Sequence, residues 1–432
     1  MKLIVVGAGN IGLVTALCFA ERGHQVFCVD IDQTKIAKLK TGTSSIFEPE
    51  LDILLTTHLK KANIQFSHQL EGIINQADII FIAVGTPNSE NGQVDLTAIE
   101  SAISAISLAS AGRSKTVIIK STVPPNTNNK FTETYPNLKF ISSPEFLREG
   151  SAIYDCLNPD RIIIGSQPIN VNDDLKLFKT IYNEFKLPEQ KFIQMNTCSA
   201  EITKYAANIF LAARVSLINE LSRVCEKSGA DIEMIKKGIS LDQRIGNEFL
   251  NAGLGYGGSC FPKDIDAFTA YATGLNENLR LTKAIKETND LQIKNFSDKI
   301  IKRFSEPPAT LCIWGAAFKP ETDDLREAPA LKLIENLLKS FHKLHIYDPK
   351  ASSHLNDVFK DHLNIKIFKD SYEALKDTDA LIIATEWNEF KSANLLEIKR
   401  LLKKHIIFDG RNVFIPETMR DMGFEYFSIG RP

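Results

Sequence analysis

The sequence is short of the features that mark several classes of protein. Its seven cysteines are scattered and form no CxxC pair, which argues against a disulfide framework and against a metal site. The formal net charge is only −2, so neither nucleic acid nor an anionic membrane surface is indicated as a partner. No apolar run approaches the roughly 18 residues of a membrane span, and the N-terminus enters a strand pattern directly. We therefore expect no targeting segment and no membrane association, and free cysteines favour a reducing cytoplasm.

The first thirty residues carry the pattern of a dinucleotide-binding turn. An apolar run over residues 2–6 precedes the glycines of residues 7–12, a helical pattern follows, and the next strand pattern closes on Asp30. In this pattern the glycines allow a tight turn and the close approach of a pyrophosphate, and the acid binds ribose hydroxyls. Asp30 would repel a 2′-phosphate, so the sequence predicts NAD rather than NADP. The cofactor contacts predicted here are Gly7, Gly9, Asn10, Ile11, Gly12, Asp30 and Lys35.

Two further buried strand patterns, over residues 78–84 and 116–120, end in short polar turns. Ligands of open α/β sheets lie beyond the carboxyl ends of the strands, which is where Gly85, Thr86, Ser121 and Thr122 fall. These four residues could equally be ordinary turn residues.

Residues 140–150 contain two carboxylates spaced four apart, Glu145 and Glu149. Glu145 stands beside Pro144 and apolar neighbours, so it could be a buried general base, and Glu149 could contact the cofactor. The same spacing also suits two carboxylates at the start of a helix on a solvated face, and the residues alone do not decide between the two.

One long helix is predicted from Thr197 to Ser228, because apolar residues recur there at steps of three and four without a glycine or proline. At about 45 Å it is longer than one domain needs, so we expect it to join two domains and to contribute a dimer contact. Lys204 and Asn208 project from one side of this helix. Exposed polar positions on the helix are the alternative for both residues.

Residues 253–264, with the sequence GLGYGGSCFPKD, form the densest glycine pattern of the chain. Glycines let a backbone adopt positive φ and approach a ligand closely, so this stretch indicates a loop that presents the thiol of Cys260. A thiolate at such a place is a candidate nucleophile. A cysteine buried for packing is the alternative.

A second alternation of strand and helix patterns begins after Pro307-Pro308, with its last strand predicted at residues 405–408. It lacks the glycine fingerprint, so we expect it to bind something other than a dinucleotide. Lys319, Arg326 and Arg411 lie in its turns and could contact an anionic ligand or be plain surface charge. The fold predicted is α/β, with two Rossmann-like doubly wound domains joined by a long central helix, in domains of residues 1–196, 197–300 and 301–432.

Taken together, the motifs closely resemble the UDP-glucose 6-dehydrogenase family, within the wider UDP-glucose/GDP-mannose dehydrogenases. The resemblance covers essentially the whole chain. Its motifs are GAGNIG at 7–12, VGTP at 84–87, STVP at 121–124, SPEFLREGSAI at 143–153, KYAANIFLAAR at 204–214, DQRIG at 242–246, GYGGSCFPKD at 255–264 and GAAFKPETDDLRE at 315–327.

The chain departs from the family pattern in two small places. Asn10-Ile11 stands where many members have an aromatic residue and a valine, and Pro125-Asn126 stands where many have a valine or proline followed by glycine. Phe261-Pro262 after the cysteine, and Gln243-Arg244 before it, look like the UDP-glucose enzymes, whereas GDP-mannose enzymes tend to carry Leu-Pro.

The resemblance implies a four-electron oxidation that uses two NAD molecules in succession. The C6 alcohol of UDP-glucose becomes an aldehyde, Cys260 traps it as a thiohemiacetal, a second oxidation gives a thioester, and water releases UDP-glucuronate. Lys204 and Asn208 would stabilise charge on the C6 oxygen, and Asp264 would hold a water that relays a proton. Glu145 would act as the base in thioester hydrolysis, and Thr122 would position water or substrate.

The resemblance also implies the remaining contacts with cofactor and substrate. The further NAD contacts are Gly85, Thr86, Ser121, Thr122, Glu149, Lys263 and Arg326. The substrate contacts are Glu145, Phe146, Leu147, Lys204, Asn208, Arg244, Phe249, Leu250, Asn251, Gly253, Tyr256, Gly257, Lys319 and Arg411, with Arg244 reaching the partner subunit's site in a homodimer.

Three other functions are compatible with parts of the sequence. A GDP-mannose or UDP-N-acetylhexosamine dehydrogenase would use the same chemistry on another nucleotide sugar. A non-enzymatic NAD-binding protein would lack Cys260, Lys204 or Asp264, and all three are present. A two-electron 3-hydroxyacid dehydrogenase shares the N-terminal pattern but needs neither Cys260 nor a second α/β domain.

Overall fold

The computed structural model describes residues 1–304, 309–340 and 343–432. Pro307-Pro308, after which the second α/β pattern was predicted to begin, lies outside the described residues. The chain divides into two compact units, the first of Met1–Ala207 and Asp266–Glu277, the second of Asn208–Ile265 and Asn278–Pro432. The predicted domain boundaries after residues 196 and 300 stay a prediction.

The first unit is built on an eight-stranded sheet in the order β3-β2-β1-β4-β5-β6-β7-β8. All neighbouring strands are parallel except β6 and β7, which are antiparallel. From β1 the chain builds the sheet outwards on one side through β2 and β3, and then crosses to β4 on the other side of β1. Such a switch point is where open α/β sheets bind ligands. The strands are β1 (Lys2–Val6), β2 (Gln25–Val29), β3 (Ile64–Ser67), β4 (Ile79–Ile82), β5 (Lys115–Ile119), β6 (Leu138–Ser142), β7 (Ile162–Ser166) and β8 (Phe192–Asn196).

Helices cover both faces of this sheet, because the side chains of each central strand alternate between two apolar cores. In β1, Leu3 and Val5 belong to one core, while Ile4 and Val6 belong to the other. Both faces are therefore buried, as the continuous apolar run of this strand predicts. The helices are α1 (Asn10–Glu21), α2 (Gln33–Lys40), α3 (Leu51–Lys60), α4 (Thr97–Ala109), α5 (Thr127–Thr134), α6 (Ala152–Leu157) and α7 (Val171–Ile181).

The long helix α8 spans Thr197–Ser228, the limits that the sequence predicts. Its residues up to 207 belong to the first unit and those from 208 onwards to the second. Three more helices follow it, α9 (Ile232–Ser240), α10 (Phe261–Gly274) and α11 (Arg280–Arg303). Among the described helices, none is both long and apolar enough to cross a membrane.

The second unit contains a six-stranded parallel sheet in the order β11-β10-β9-β12-β13-β14. The fold class is therefore confirmed: two doubly wound sheets, the first parallel except for one pair and the second wholly parallel, with a long helix between them in the chain. The strands are β9 (Thr310–Trp314), β10 (Lys343–Tyr347), β11 (Ile365–Phe368), β12 (Ala380–Ile383), β13 (Ile406–Asp409) and β14 (Glu425–Phe427). The helices are α12 (Pro329–Leu338), α13 (Ser352–Val358), α14 (Ser371–Leu375), α15 (Asn388–Lys391), α16 (Leu395–Leu401) and α17 (Pro416–Asp421).

The prediction that residues 405–408 form the last strand is wrong, because β14 follows β13 and pairs with it. The ring of Phe427 stacks on that of Phe408 with centroids 4.6 Å apart, so the added strand packs against the core. A strand of three residues at the edge of a sheet has too short a pattern to be recognised in the sequence.

In the second sheet, the acidic residue at the end of β10, Asp348, binds backbone groups of the protein itself. Asp348 follows β10 as Asp30 follows β2, but it is only 1% exposed. Its carboxylate accepts hydrogen bonds from the backbone N–H groups of Ala316 at 2.8 Å and Ala317 at 3.0 Å, and from the indole of Trp387 at 3.3 Å. A carboxylate that is buried and occupied in this way is not available to a ribose, which supports the prediction that this domain binds something other than a dinucleotide.

Candidate active site

The glycine turn after β1 has the shape that a dinucleotide requires. Gly7 has φ +100°, and a Cβ there would lie 2.5 Å from the carbonyl oxygen of Ala83. A Cβ on Gly12 would lie 1.9 Å from the carbonyl oxygen of Gly7. At Gly9, by contrast, no described atom would come within 4 Å of a Cβ, so the turn is open on that side. The first amides of α1 lie beside this opening, and helix N-termini favour phosphate groups.

Asp30 lies at the end of β2 next to this turn, and its side chain is 11% exposed. Its carboxylate accepts hydrogen bonds from the Ala8 amide at 2.7 Å, the Asp32 amide at 3.0 Å and the Lys35 ammonium at 3.0 Å. Burial alone would raise the pKa of Asp30, but these hydrogen bonds hold it below its ordinary value. The group is therefore a carboxylate at neutral pH, as the recognition of ribose hydroxyls requires. The residues of this region fit NAD.

The polar turns after β4 and β5 lie side by side. Thr86 donates its hydroxyl to the Thr122 carbonyl at 2.8 Å, and Ser121 donates to the Val84 carbonyl at 2.8 Å. Thr86 and Ser121 are buried, and Thr122 is half-buried. The four residues predicted to contact the cofactor from these turns are thus brought together beyond the carboxyl ends of neighbouring strands, although two of their hydroxyls serve to tie the turns together.

Glu145 and Lys204 form a buried ion pair in the first unit. Lys204 Nζ lies 3.0 Å from Glu145 Oε1, and the two side chains are 5% and 7% exposed. The other carboxylate oxygen accepts the Leu147 amide at 2.6 Å, and Lys204 Nζ lies 5.4 Å from the centre of the Phe146 ring. The alternatives of a solvated helix start for Glu145 and of an exposed helix position for Lys204 are therefore wrong.

Glu149 is half-buried, and the backbone that follows it is fixed by a carboxylate that the sequence analysis missed. Glu48, which is 8% exposed, accepts the amides of Gly150 at 2.8 Å and Ala152 at 2.7 Å. These bonds serve the N-terminus of α6 across about a hundred residues of chain. A local pattern holds no sign of such a pairing.

Cys260 stands immediately before α10, half-buried, with its Sγ 3.6 Å from the hydroxyl of Ser259. The amide of Asp264 donates to the Cys260 carbonyl at 2.9 Å, which closes the first turn of the helix. The positive end of a helix dipole stabilises an anion, so this position suits a thiolate. Cys18, Cys28, Cys225 and Cys312 are buried in apolar cores, and Cys260 is not one of them.

Asp264 lies one turn into α10, is 1% exposed, and is held between two donors. Asn208 donates its Nδ2 to one carboxylate oxygen at 2.6 Å, and Lys263 donates its Nζ to the other at 2.6 Å. Asn208 itself is 6% exposed, so the alternative of an exposed amide is wrong. The second unit thus brings together three of the predicted site residues, Asn208, Lys263 and Asp264, at the helix that Cys260 begins.

The glycines before Cys260 are required by close packing. A Cβ on Gly255 would lie 2.4 Å from Asn289 Oδ1, one on Gly257 would lie 2.3 Å from the carbonyl oxygen of Glu327, and one on Gly258 would lie 2.8 Å from the Phe318 ring. Gly255 and Gly258 also have positive φ. The Tyr256 ring, 8% exposed, packs edge-on against the Phe261 ring at 5.8 Å. Gly255, Gly257 and Gly258 therefore have no room for a side chain, and the loop that they form leads into the cysteine.

The segment before the loop is anchored by Arg214 on α8. Its guanidinium donates to the carbonyls of Ile245 at 2.7 Å, Gly246 at 3.1 Å and Glu248 at 2.8 Å. Phe249 then takes φ +59°, an unusual value for an aromatic residue. Three predicted substrate contacts in this segment differ in exposure: Leu250 is buried, Asn251 is exposed, and Arg244 is exposed and paired with Asp242.

Arg411 lies against the glycine loop. Its guanidinium donates to the carbonyls of Ala384 at 2.8 Å and Gly255 at 3.3 Å, and it approaches Glu386 at 3.3 Å. Lys319 is half-buried, with its ammonium 5.5 Å from the centre of the Phe318 ring. Arg326 is largely exposed and paired with Asp324 at 2.6 Å, although its backbone carbonyl accepts the Gly258 amide at 3.0 Å.

Besides Glu48, a second buried carboxylate was not predicted from the sequence: Glu201, on α8. Glu201, 2% exposed, accepts the amides of Asn126 at 2.6 Å and Asn128 at 2.9 Å, and the side-chain Nδ2 of Asn128 at 3.0 Å. Asn126 has φ +70°, in the left-handed region that glycine occupies freely and asparagine tolerates. The departure from glycine at this position is therefore compatible with the turn.

The shape of the turn around Gly9 and the carboxylate of Asp30 fit a protein that binds NAD, and residues 1–186 match the NAD binding domain of a known family. Residues 198–291 match the central domain of the same family, and residues 312–416 match its UDP binding domain. The chain belongs to the UDP-glucose/GDP-mannose dehydrogenase family, and it is an NAD-dependent oxidoreductase.

Relatives resemble the chain over its full length. UDP-glucose 6-dehydrogenase TuaD from Bacillus subtilis is 40% identical over 439 residues, covering 100% of this chain and 93% of that protein. A solved UDP-glucose dehydrogenase from Pyrobaculum islandicum has a TM-score of 0.89 at 31% identity, covering 99% of this chain and 96% of that one. The UDP-D-ManNAc dehydrogenase of Pyrococcus horikoshii has a TM-score of 0.85 at 27% identity, covering 100% and 99%.

Proposed function

We propose that this protein oxidises the C6 alcohol of UDP-glucose to the carboxylate of UDP-glucuronate. The observation that carries the proposal is the full-length similarity to a UDP-glucose 6-dehydrogenase, joined to a half-buried cysteine at the start of a helix. The matches to an NAD binding domain and a UDP binding domain agree with the two ligands that this reaction needs.

The chemistry divides into two oxidations on one carbon. NAD, when bound, accepts the hydride lost in each oxidation. The C6 alcohol first becomes an aldehyde, and the Cys260 thiolate adds to the aldehyde carbon to give a thiohemiacetal. Its oxidation gives a thioester, and water cleaves the carbon–sulfur bond to release the carboxylate and the thiolate. The covalent bond matters because a free aldehyde hydrates and diffuses away, whereas an adduct stays in place for the second oxidation.

The remaining residues handle protons and charge in this proposal. Lys204 and Asn208 stabilise negative charge on the C6 oxygen, since both are buried donors one turn apart on α8. Glu145 accepts a proton from the water that attacks the thioester, and Asp264 holds a water that relays a proton. Thr122 positions water or substrate. Without substrate, Lys204 and Glu145 form an ion pair with each other. This ion pair has to open before either residue takes up its role in the reaction.

A second candidate substrate is a UDP-N-acetylhexosamine. The solved UDP-D-ManNAc dehydrogenase shares the whole fold with this chain, and both candidates contain UDP. The higher identity to UDP-glucose enzymes favours glucose: 40% and 31%, against 27% to the UDP-D-ManNAc dehydrogenase.

Counting NADH formed per sugar tests the proposed function. Purified protein is incubated with NAD and limiting amounts of UDP-glucose, UDP-N-acetylmannosamine or GDP-mannose. The proposal expects two NADH per UDP-glucose and a kcat/KM at least about tenfold above that of the other sugars, the scale on which a pocket separates related substrates. One NADH per sugar would contradict the four-electron reaction, and preference for the acetylated sugar would favour the second candidate.

We also propose a homodimer in the cytoplasm, with α8 in the contact. Phe210, Leu217, Leu221 and Val224 are 65%, 58%, 36% and 60% exposed. Their spacing of seven, four and three residues places them on one face of the helix. A contiguous apolar face of this kind on a soluble chain is typical of a protein–protein contact.

A further inference from the structure

Three buried side-chain amides hold the backbone of the glycine loop before Cys260. They are Asn219 on α8 and Asn289 and Gln292 on α11, and they are 0%, 4% and 3% exposed. We call these three residues the amide frame. All three lie in the second unit, as does the loop.

The frame binds both polar groups of two loop residues. Gly253 donates its amide to Asn219 Oδ1 at 2.8 Å, and its carbonyl accepts Gln292 Nε2 at 3.0 Å. Tyr256 donates its amide to Asn289 Oδ1 at 2.9 Å, and its carbonyl accepts Asn289 Nδ2 at 3.1 Å. A buried backbone without such partners would be costly, so the frame stabilises a loop that has no neighbouring strand.

The Asn289 amide does for Tyr256 what a neighbouring strand does in a sheet, because it offers a carbonyl and an N–H side by side. It also determines the residue that can precede Tyr256. Gly255 has φ +105°, and a Cβ there would lie 2.4 Å from Asn289 Oδ1. The orientation of Gln292 is fixed in turn, since Arg223 donates to its Oε1 at 3.0 Å.

We propose that Asn289 is a positioning residue for the oxidation: by fixing Tyr256 and Gly255, it sets the place of Cys260 and of the loop that the substrate contacts. The inference rests on the proposed function for its kinetic part. Both polar atoms of the Asn289 side chain bind the Tyr256 backbone, so Asn289 acts through the loop. Asn219 and Gln292 share the task at Gly253.

Asn289→Ala is the test variant, and Ser297→Ala is its matched control. Ser297 is 1% exposed and lies on the same helix, and its hydroxyl donates to the Ile293 carbonyl and accepts from Asn336 Nδ2 at 3.2 Å, neither of which belongs to the glycine loop. Hydrogen exchange of the peptide spanning residues 252–260 needs no substrate, so it tests the frame even if UDP-glucose is the wrong sugar. We expect exchange at Tyr256 to rise at least about tenfold in Asn289→Ala and to stay unchanged in Ser297→Ala.

The kinetic arm compares substrate and cofactor in the same variants. We expect kcat/KM for UDP-glucose to fall about 10- to 100-fold in Asn289→Ala, because a displaced reacting group costs on that scale, while the Kd of NAD stays within twofold. Gly255→Ala should then cost less in the Asn289→Ala background than in the wild type, because the clash with Oδ1 is gone while the φ strain is common to both.

Three results would overturn the proposal: unchanged exchange at Tyr256, kcat/KM within twofold of the wild type, or full additivity of Asn289→Ala and Gly255→Ala. If Asn289→Ala does not fold, Gln292→Ala takes its place: it removes one bond to Gly253, so exchange in the peptide of residues 252–260 should rise and kcat/KM for UDP-glucose should fall, while the Gly255→Ala comparison applies to Asn289 alone. If the wild type oxidises a different nucleotide sugar, the proposed substrate fails while the exchange measurement still decides the role of the frame.

Discussion

Lys204 Nζ lies 3.0 Å from Glu145 Oε1, and the two side chains are 5% and 7% exposed. Removing one partner of such a pair leaves the other charge buried without compensation. We expect Lys204→Met to lower the free energy of unfolding by about 3–5 kcal/mol. Urea denaturation with NAD absent measures it. The double variant Lys204→Met/Glu145→Gln should recover at least half of the loss, because both charges are gone and the bond from the Leu147 amide can remain. A double variant no more stable than the single one would show that the charge pair is not what Lys204 contributes.

Glu201 should make the stability of the first unit depend on pH. Burial raises the pKa of Glu201 to about 7 from an ordinary 4.5, although the hydrogen bonds from Asn128 and Asn126 act to lower it. The folded protein thus holds this proton more tightly than the unfolded chain does. The stabilisation that protonated Glu201 adds to the free energy of unfolding is therefore complete below pH 4.5 and is lost as the pH rises to about 7. It amounts to at most about 3 kcal/mol.

The comparison of wild type with Glu201→Gln isolates this effect. The difference in free energy of unfolding between the two proteins should change between pH 4.5 and 7 and be constant above pH 7. Glu100→Gln, at an exposed position of α4, serves as the control and should track the wild type throughout. A difference that is flat across the whole range would mean that Glu201 has the same pKa in the folded and the unfolded protein.

Replacing Asp30 should weaken NAD and narrow the preference over NADP, because a carboxylate at this strand end disfavours the added phosphate. Two variants separate charge from structure. Asp30→Asn keeps an oxygen that can accept the Ala8 amide, whereas Asp30→Ala removes it. We expect about tenfold weaker NAD binding in Asp30→Asn, and more in Asp30→Ala, on the scale of one lost charge-assisted hydrogen bond. Fluorescence titration measures both cofactors. Comparable use of NAD and NADP by the wild type would refute the role given to Asp30.

The two substitutions of Cys260 should fail in different ways. Cys260→Ala can make no adduct and should turn over hardly at all. Cys260→Ser can add to the aldehyde, but the ester that follows is harder to hydrolyse than a thioester, so the sugar should accumulate on the protein. Intact-protein mass spectrometry after incubation with NAD and UDP-glucose should show a mass increase for the serine variant alone. Wild-type turnover in Cys260→Ala, at two NADH per sugar, would make the thiol a packing residue.

The exposed apolar face of α8 predicts self-association. Sedimentation at micromolar concentration should show a dimer of the 48.2 kDa chain, and Leu217→Glu with Val224→Glu should shift it to monomer. An exposed aliphatic residue elsewhere, Leu363, gives the control Leu363→Glu, which should leave the dimer intact. A wild type that sediments only as a monomer removes the proposal.

The sequence predicted those parts of the fold whose causes are local. The limits of α8 follow from an apolar period that runs unbroken until Gly229, and the turn around Gly7 follows from glycines in fixed order between strand and helix. The burial of Lys204 was not predictable in that way, because its partner Glu145 is supplied by a loop 59 residues earlier. On a mostly apolar helix, a buried lysine and a solvent-exposed lysine look alike in the sequence.

The amide frame shows what signal could have been used. Ile285, Asn289, Gln292 and Phe296 occupy one face of α11, and all are buried. Asn289 and Gln292 stand at positions where the helical pattern predicts apolar side chains, which indicates that their amides hydrogen-bond buried polar groups. The sequence does not say which backbone they serve, since Tyr256 lies 33 residues away and Gly253 lies 39 residues from Gln292.

The self-occupied carboxylate of Asp348 has a consequence for stoichiometry. A chain with two doubly wound sheets could in principle bind two dinucleotides. In the second sheet, however, the carboxylate of Asp348 already accepts hydrogen bonds from the amides of Ala316 and Ala317 and from the Trp387 indole. Calorimetric titration should therefore saturate at one NAD per chain even when the reaction consumes two. In the proposed reaction, the two oxidations therefore share one NAD-binding site, and NADH leaves it while the sugar stays bonded to the sulfur of Cys260.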